Sequence, residues 1–246
     1  MNQQQRIAKI CGVRTVEAAV AAASGGADII GMIFAPSPRL IDLDTAQNIA
    51  RAVAPLRAAP VEAAEDVSVE ITTAAEYFTA RSQQLTRLGC PLLCGVFQNQ
   101  PLEHILEMVQ QVPLDLVQLH GTEPAALAQQ IPVPVIKVFH VDGAFSVDAD
   151  SELFQTSCHS VILLDTKVAG TAQQGGRGVS FDWTIARRLA DQGVPFLMAG
   201  GLTPDNVQEA ISVGKPWGVD VSSGVETDKA KDPAKIQAFI DNVRRA

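Results

Sequence analysis

Two side chains in this chain of 246 residues stand where acid–base chemistry could be carried out. Cys11 follows Ala8-Lys9-Ile10, and Asp165 follows Val161-Ile162-Leu163-Leu164. If both apolar runs are strands of one closed parallel barrel, the two side chains sit at its C-terminal end, where barrel enzymes carry their catalytic groups. A thiolate and a carboxylic acid facing each other across that mouth make a base–acid pair. Lys9, two positions before Cys11 and therefore on the same strand face, favours the thiolate. A lone cysteine also serves as a small core residue, and position alone leaves both roles open.

A second group of residues points to an anion. Ala199-Gly200-Gly201-Leu202-Thr203-Pro204 follows the seventh β-rich run, and Val221-Ser222-Ser223-Gly224 follows the eighth. The loops after strands seven and eight are the usual phosphate site of barrels, because glycine lets backbone N–H groups approach while hydroxyls and a helix N-terminus add donors. Gly200, Gly201, Ser222 and Ser223 are the candidates, and a phosphorylated small molecule is the expected ligand. Arg39, in Phe34-Ala35-Pro36-Ser37-Pro38-Arg39, places a guanidinium at the mouth, suited to bidentate capture of a carboxylate. A surface arginine in a Pro-rich turn is the plainer alternative. Residues Gly170 to Gly178 read as a lid; they lack the spacing of a dinucleotide fingerprint, and no cofactor is implied.

Such residues need a scaffold that aims them. β-rich runs at Arg6–Ile10, Asp28–Phe34, Leu92–Phe97, Asp115–Leu119, Pro134–Phe139, Ser160–Leu164, Pro195–Ala199 and Trp217–Val221 alternate with Ala-rich helical patterns. Strands that alternate with helices form parallel sheets, and eight such units at this length favour a closed (β/α)8 barrel, a single domain over residues 1–246. Thr203-Pro204-Asp205 reads as a helix start, with Thr as the cap. Residues 55–90 interrupt the rhythm. Val67, Ile71, Ala74, Phe78, Leu85 and Leu88 recur there at roughly helical spacing, which predicts an extra helix between the second helix and the third strand. A helix-to-strand connection lies on the N-terminal face of a barrel, away from the chemistry, so this addition reads as packing. Lys9, Lys137, Asp165 and Asp220 interrupt buried strands; each must pair or line a polar cavity, and the upper interior of the barrel is where they are expected. His120 reads as a hydrogen-bonded structural histidine.

Composition narrows the function classes. Nineteen basic and 27 acidic side chains give a net charge of −8, against sequence-independent binding to nucleic acid. Four scattered cysteines make no disulfide scaffold, and Cys90 and Cys94 lack a second pair at zinc-finger spacing, so no metal is expected. No apolar run approaches the roughly 20 residues that span a bilayer, and no leader pattern opens the chain, so it reads as cytoplasmic, with no membrane partner.

Lys9-Ile10-Cys11-Gly12, Ser37-Pro38-Arg39, Gly95-Val96-Phe97, Gln118-Leu119-His120-Gly121, Leu163-Leu164-Asp165, Ala199-Gly200-Gly201-Leu202 and Asp220-Val221-Ser222-Ser223-Gly224-Val225-Glu226 occur in one order along the chain. That ordered set resembles the phosphoribosylanthranilate isomerases of tryptophan biosynthesis, from about Lys9 to Phe239. The resemblance implies a (β/α)8 barrel that carries out an Amadori rearrangement of N-(5-phosphoribosyl)anthranilate without metal or cofactor, as a monomer or homodimer. It implies Cys11 as general base and Asp165 as general acid. Arg39 then holds the anthranilate carboxylate, Gly200, Gly201, Ser222 and Ser223 grip the phosphate, and Asp220 is a positioning aspartate. Two other readings compete. An aminoaldose isomerase of histidine biosynthesis is expected to carry an aspartate base where Cys11 stands. A non-catalytic phosphate-binding scaffold has no need of Cys11, Asp165 and Arg39 together.

Overall fold

The computed structural model describes residues 6–60, 71–142, 145–147, 151–166 and 181–246. Eight parallel strands close into a barrel in sequential order: β1 (Ile7–Cys11), β2 (Ile29–Ile33), β3 (Leu92–Phe97), β4 (Leu116–Leu119), β5 (Val135–Val141), β6 (Val161–Thr166), β7 (Phe196–Met198) and β8 (Gly218–Val221). Each coincides with an expected run. β1 and β6 extend far enough to take in Cys11 and Asp165 at their C-terminal ends.

The outer layer comprises α1 (Val16–Ser24), α2 (Leu43–Val53), α3 (Ala74–Thr86), α4 (Leu102–Gln111), α5 (Trp183–Asp191), α6 (Val207–Gly214) and α7 (Pro233–Arg245). Local chemistry starts several of them: Thr15, Asp42 and Asp182 accept hydrogen bonds from the first-turn amides of α1, α2 and α5. After β4 and β5 the described residues form only 3-10 turns, Ala125–Gln130 and Glu152–Phe154, rather than α-helices. Pro124, Pro132 and Pro134 bracket the first of these and bias the residues before them away from helical backbone. α6 begins three residues later than the Thr203-Pro204 pattern suggests. Asn206 is its cap residue, and its Oδ1 accepts from Thr203 N at 2.8 Å, so the expected cap is itself drawn into the preceding turn.

Within residues 55–90 the helix is α3. It opens on a capping box in which Thr73 and Glu76 satisfy each other's backbone amides. Phe78 is fully buried, with its ring 5.2 Å from that of His159. Leu85 joins Ile7, Ile29 and Leu92 in one cluster at the N-terminal ends of the strands. Ile71 stays exposed and lies outside the helix, so the apolar spacing overreached at that end; Val67 lies outside the described residues.

The pleat decides which side chains enter the barrel. Ile7 and Cys11 on β1, Ile136 and Val138 on β5, and Val161 and Leu163 on β6 pack together inside. Lys9, Asp165 and Asp220 share that inward parity, as expected. Lys137 does not. Val138 faces in, so Lys137 faces out between β5 and its covering layer, where Nζ donates to Gly121 O at 3.2 Å and Val138 O at 3.1 Å and lies 3.9 Å from Glu123 Oε2. Of the two outcomes weighed for this lysine, the buried ion pair is the one realised, on the opposite face of the strand from the mouth.

Candidate active site

The C-terminal end of the barrel opens into a concave cleft, the kind of place where small-molecule sites form. Cys11 from β1, Asp165 from β6 and Asp220 from β8 line it together with Arg39 from the loop after β2. Gly200 and Gly201 after β7, and Ser222 and Ser223 after β8, complete the wall. All eight residues singled out in the sequence therefore border one cavity. The proposed lid falls within residues 167–180 and lies outside the described residues.

Parallel register brings Lys9 opposite Asp220, and their side chains form an ion pair of 3.0 Å inside the barrel. Burial is the largest single influence and opposes the charge on Lys9, but the Asp220 carboxylate and the nearby Cys11 and Cys94 sulfurs together outweigh it and hold the ammonium protonated, with its pKa above the ordinary lysine value. Asp220 thus has a structural debt to Lys9 as well as a place in the cleft. Cys11 is buried one step above Lys9. Burial pushes its thiol up, and the nearby Lys9 charge opposes that without reversing it, while Asp220 adds to the rise. The expectation that Lys9 would favour the thiolate is right in sign and too small in size.

Asp165 is pushed up to about 7, chiefly by burial, with the Asp220 charge adding to it. The amide of Thr166 donates to its Oδ1 at 2.8 Å and works the other way. A carboxyl group poised near neutrality is what a general acid needs. The sequence left His120 as a structural residue, and Gln118 Nε2 does lie 2.9 Å from its Nδ1. Its Nε2, however, is 3.4 Å from Asp165 Oδ2, a contact that local sequence does not reveal.

The two loops expected to receive an anion carry constraints of their own. Gly200 has φ of +87°, and a Cβ there would collide with Thr166 Oγ1, so the position requires glycine on both counts. Asn206 Nδ2 donates to Gly201 O at 3.0 Å and fixes the loop from below. The Ser222 hydroxyl is buried with no partner among the described residues, a donor available to a ligand.

A family model described as N-(5'phosphoribosyl)anthranilate (PRA) isomerase matches residues 56–242. The chain belongs to the phosphoribosylanthranilate isomerase family. Among curated relatives, the N-(5'-phosphoribosyl)anthranilate isomerase of Roseiflexus sp. is 41% identical, over 97% of this chain and 97% of that one. The phosphoribosylanthranilate isomerase structure from Thermotoga maritima superposes with a TM-score of 0.70 at 30% identity, covering 98% of this chain and all of the other. A further isomerase structure, holding reduced 1-(o-carboxyphenylamino)-1-deoxyribulose 5-phosphate, has a TM-score of 0.66 at 29% identity over 98% of this chain and 100% of that one. The chain also matches three multifunctional tryptophan biosynthesis proteins and a further tryptophan biosynthesis protein, of whose length it spans only 29% to 47%. Among the described residues, no helix is long and apolar enough to cross a membrane.

In this isomerase-family barrel the stem of Arg39 lies over Gly12, whose φ is +73° and where a Cβ would come 2.5 Å from Arg39 Cδ. Gly12→Ala therefore carries two penalties: left-handed backbone worth about 1–3 kcal/mol, and displacement of the guanidinium. A lower melting temperature together with a KM raised about tenfold, equivalent to ~1.4 kcal/mol, is expected from thermal denaturation and steady-state kinetics. An unchanged KM would show that Arg39 does not hold substrate.

Proposed function

We propose that this chain converts N-(5-phosphoribosyl)anthranilate to 1-(o-carboxyphenylamino)-1-deoxyribulose 5-phosphate, with Cys11 as general base and Asp165 as general acid. The observation that carries the reading is a single cleft in which a carboxyl group poised at about pH 7 shares the mouth with a buried thiol, an arginine and the glycine- and serine-bearing loops after β7 and β8. The loops after β7 and β8 hold the phosphate, and Arg39 receives the anthranilate carboxylate. Together these contacts orient the sugar over Cys11 and Asp165.

Protonated Asp165 gives its proton to the ribose ring oxygen as the C1′–O bond breaks, and the anthranilate nitrogen forms an iminium with C1′. The positive iminium acidifies C2′–H, and the Cys11 thiolate takes that proton, leaving an enolamine. Ketonisation adds a proton at C1′ and releases the one on the C2′ hydroxyl, which restores both groups. No electron leaves or enters the substrate; the change is an isomerisation. A phosphorylated substrate that also carries a carboxylate fits a cleft lined both by an arginine and by the loops after β7 and β8. Purified protein supplied with freshly generated phosphoribosylanthranilate should turn it over, as followed through the anthranilate fluorophore. No turnover of fresh substrate would leave only a binding function.

The pH dependence has a definite shape because the base titrates above the acid. Below about pH 7 Asp165 is already protonated, and the thiolate fraction of Cys11 falls tenfold for each unit of pH. Above about pH 7 each tenfold gain in thiolate is cancelled by a tenfold loss of protonated Asp165. For the free enzyme kcat/KM should rise with unit slope to about pH 7, run level, and fall only once Cys11 itself titrates. The bend near pH 7 therefore reports the acid, and a bend that persists unchanged in Asp165→Asn would remove Asp165 from the reaction.

A further inference from the structure

Arg39 is not alone in the cleft. Its Nε and Nη2 donate to Glu226 Oε1 and Oε2 at 2.7 and 2.8 Å, which occupies the side-on edge of the guanidinium. Nη1 makes no hydrogen bond to any described residue, and the end-on edge is left for a ligand. An arginine paired to a glutamate is neutral as a unit and attracts an incoming carboxylate only weakly. Burial works against the charge on Glu226, but the hydrogen bond from Arg39 and the nearby Lys231 overcome it and hold the group at about 2, so it is ionised throughout the working range.

A third charge stands behind the pair. Lys231 Nζ donates to Glu226 Oε1 at 2.9 Å and to Ser222 O at 2.8 Å, with its side chain only 3% exposed. Lys231 is carried by a short ribbon, Glu226–Thr227 paired antiparallel with Ala230–Lys231. Asp228 and Lys229 turn the ribbon with φ of 50° and 64°, which sets Lys231 directly opposite Glu226. Arg14 then clasps both partners: it donates to Pro38 O at 3.0 Å, beside Arg39, and to Lys229 O at 2.6 Å, in the ribbon turn. Arg39, Lys231 and Glu226, two cations and one anion, carry a net charge of +1, and the partly exposed Arg14 adds its own charge at the rim.

We propose that Lys231, acting through Glu226 and Arg39, is a positioning residue that sets specificity for the substrate's aromatic carboxylate: it restores the positive charge that Glu226 cancels, while Glu226 keeps the guanidinium locked with its free edge toward the cleft. The proposal rests on the isomerase reading of the cleft. A rigid, desolvated cluster is where one unit of charge has its largest effect on an anion, because nothing must reorganise when the carboxylate arrives.

The test is calorimetric binding to the full chain of two non-reacting ligands: the reduced carboxyphenylamino product, and its counterpart lacking the carboxylate. Wild type is expected to prefer the carboxylated ligand strongly. Lys231→Met should cut that preference at least about tenfold by weakening the carboxylated ligand alone. Lys231→Gln, which can still donate to Ser222 O, carries the same expectation should the methionine variant not fold. Lys231→Arg should keep the preference. Equal weakening of both ligands would mean that Lys231 only holds the ribbon, and an unchanged preference would remove it from recognition; either overturns the proposal. Wild type that binds neither ligand would instead sink the isomerase reading.

Discussion

Asp165→Asn should lower kcat by roughly 10²–10⁴-fold, the usual contribution of a positioned general acid, while leaving the protein at least as stable as before. Both halves follow from the same environment. Asn retains an oxygen for the Thr166 amide and a polar edge toward His120, so the contacts at 2.8 and 3.4 Å have replacements. What it lacks is a proton to give to the ring oxygen. The carboxyl sits at about 7 in the folded protein, above its value in an unfolded chain, so the native state binds the proton more tightly. Stability from this group is therefore fully present at acid pH and lost as pH rises toward and through about 7. Asn carries no such cost, and the variant should melt above wild type at pH 8 with a smaller margin at pH 5. Kinetics and thermal denaturation at the two pH values check both halves together. Near-normal turnover would end the acid assignment, and a margin independent of pH would show that the charged carboxylate is not buried at a cost.

Cys11→Ala should likewise cost roughly 10²–10⁴-fold in kcat, and Cys11→Ser should not rescue it, because a hydroxyl at that buried position ionises far less readily than a thiol. The folded chain keeps the sulfur mostly protonated, with burial outweighing Lys9 and Lys231. Alkylation of Cys11 should accordingly be slow at pH 7 and accelerate steeply with pH, while the carboxylated product analogue protects it. A serine variant with near-normal kcat would refute the base assignment. Fast labelling at neutral pH would instead show that the thiolate is favoured in the free protein, and the pH profile should then fall above about pH 7 rather than run level.

Much of this was legible along the chain. The barrel follows from eight β-rich runs, and the inward direction of Lys9, Asp165 and Asp220 follows from a period of two anchored at the strand ends. Lys137 marks the limit of that method. Nothing near the end of the fifth run says which parity is inward, and Val138 rather than its neighbour fills the interior. Thr203 and Asn206 are both good cap residues three positions apart, and only the path of the loop over Gly201 selects between them.

Residue types and their order were enough to place a carboxyl group, a thiol, two glycine- and serine-bearing loops and an arginine at one mouth, because strand direction and loop position are local properties of a regular barrel. They were not enough to say how those groups are charged or what holds them. Arg39 meets Glu226 across 187 positions of sequence, and Lys231 reaches Glu226 through a two-residue turn. The thiol's resting state depends on how much water the packed barrel excludes, set against a lysine that sequence does reveal. Burial and long-range pairing are sums over the whole fold, and only the closed tertiary structure decides them.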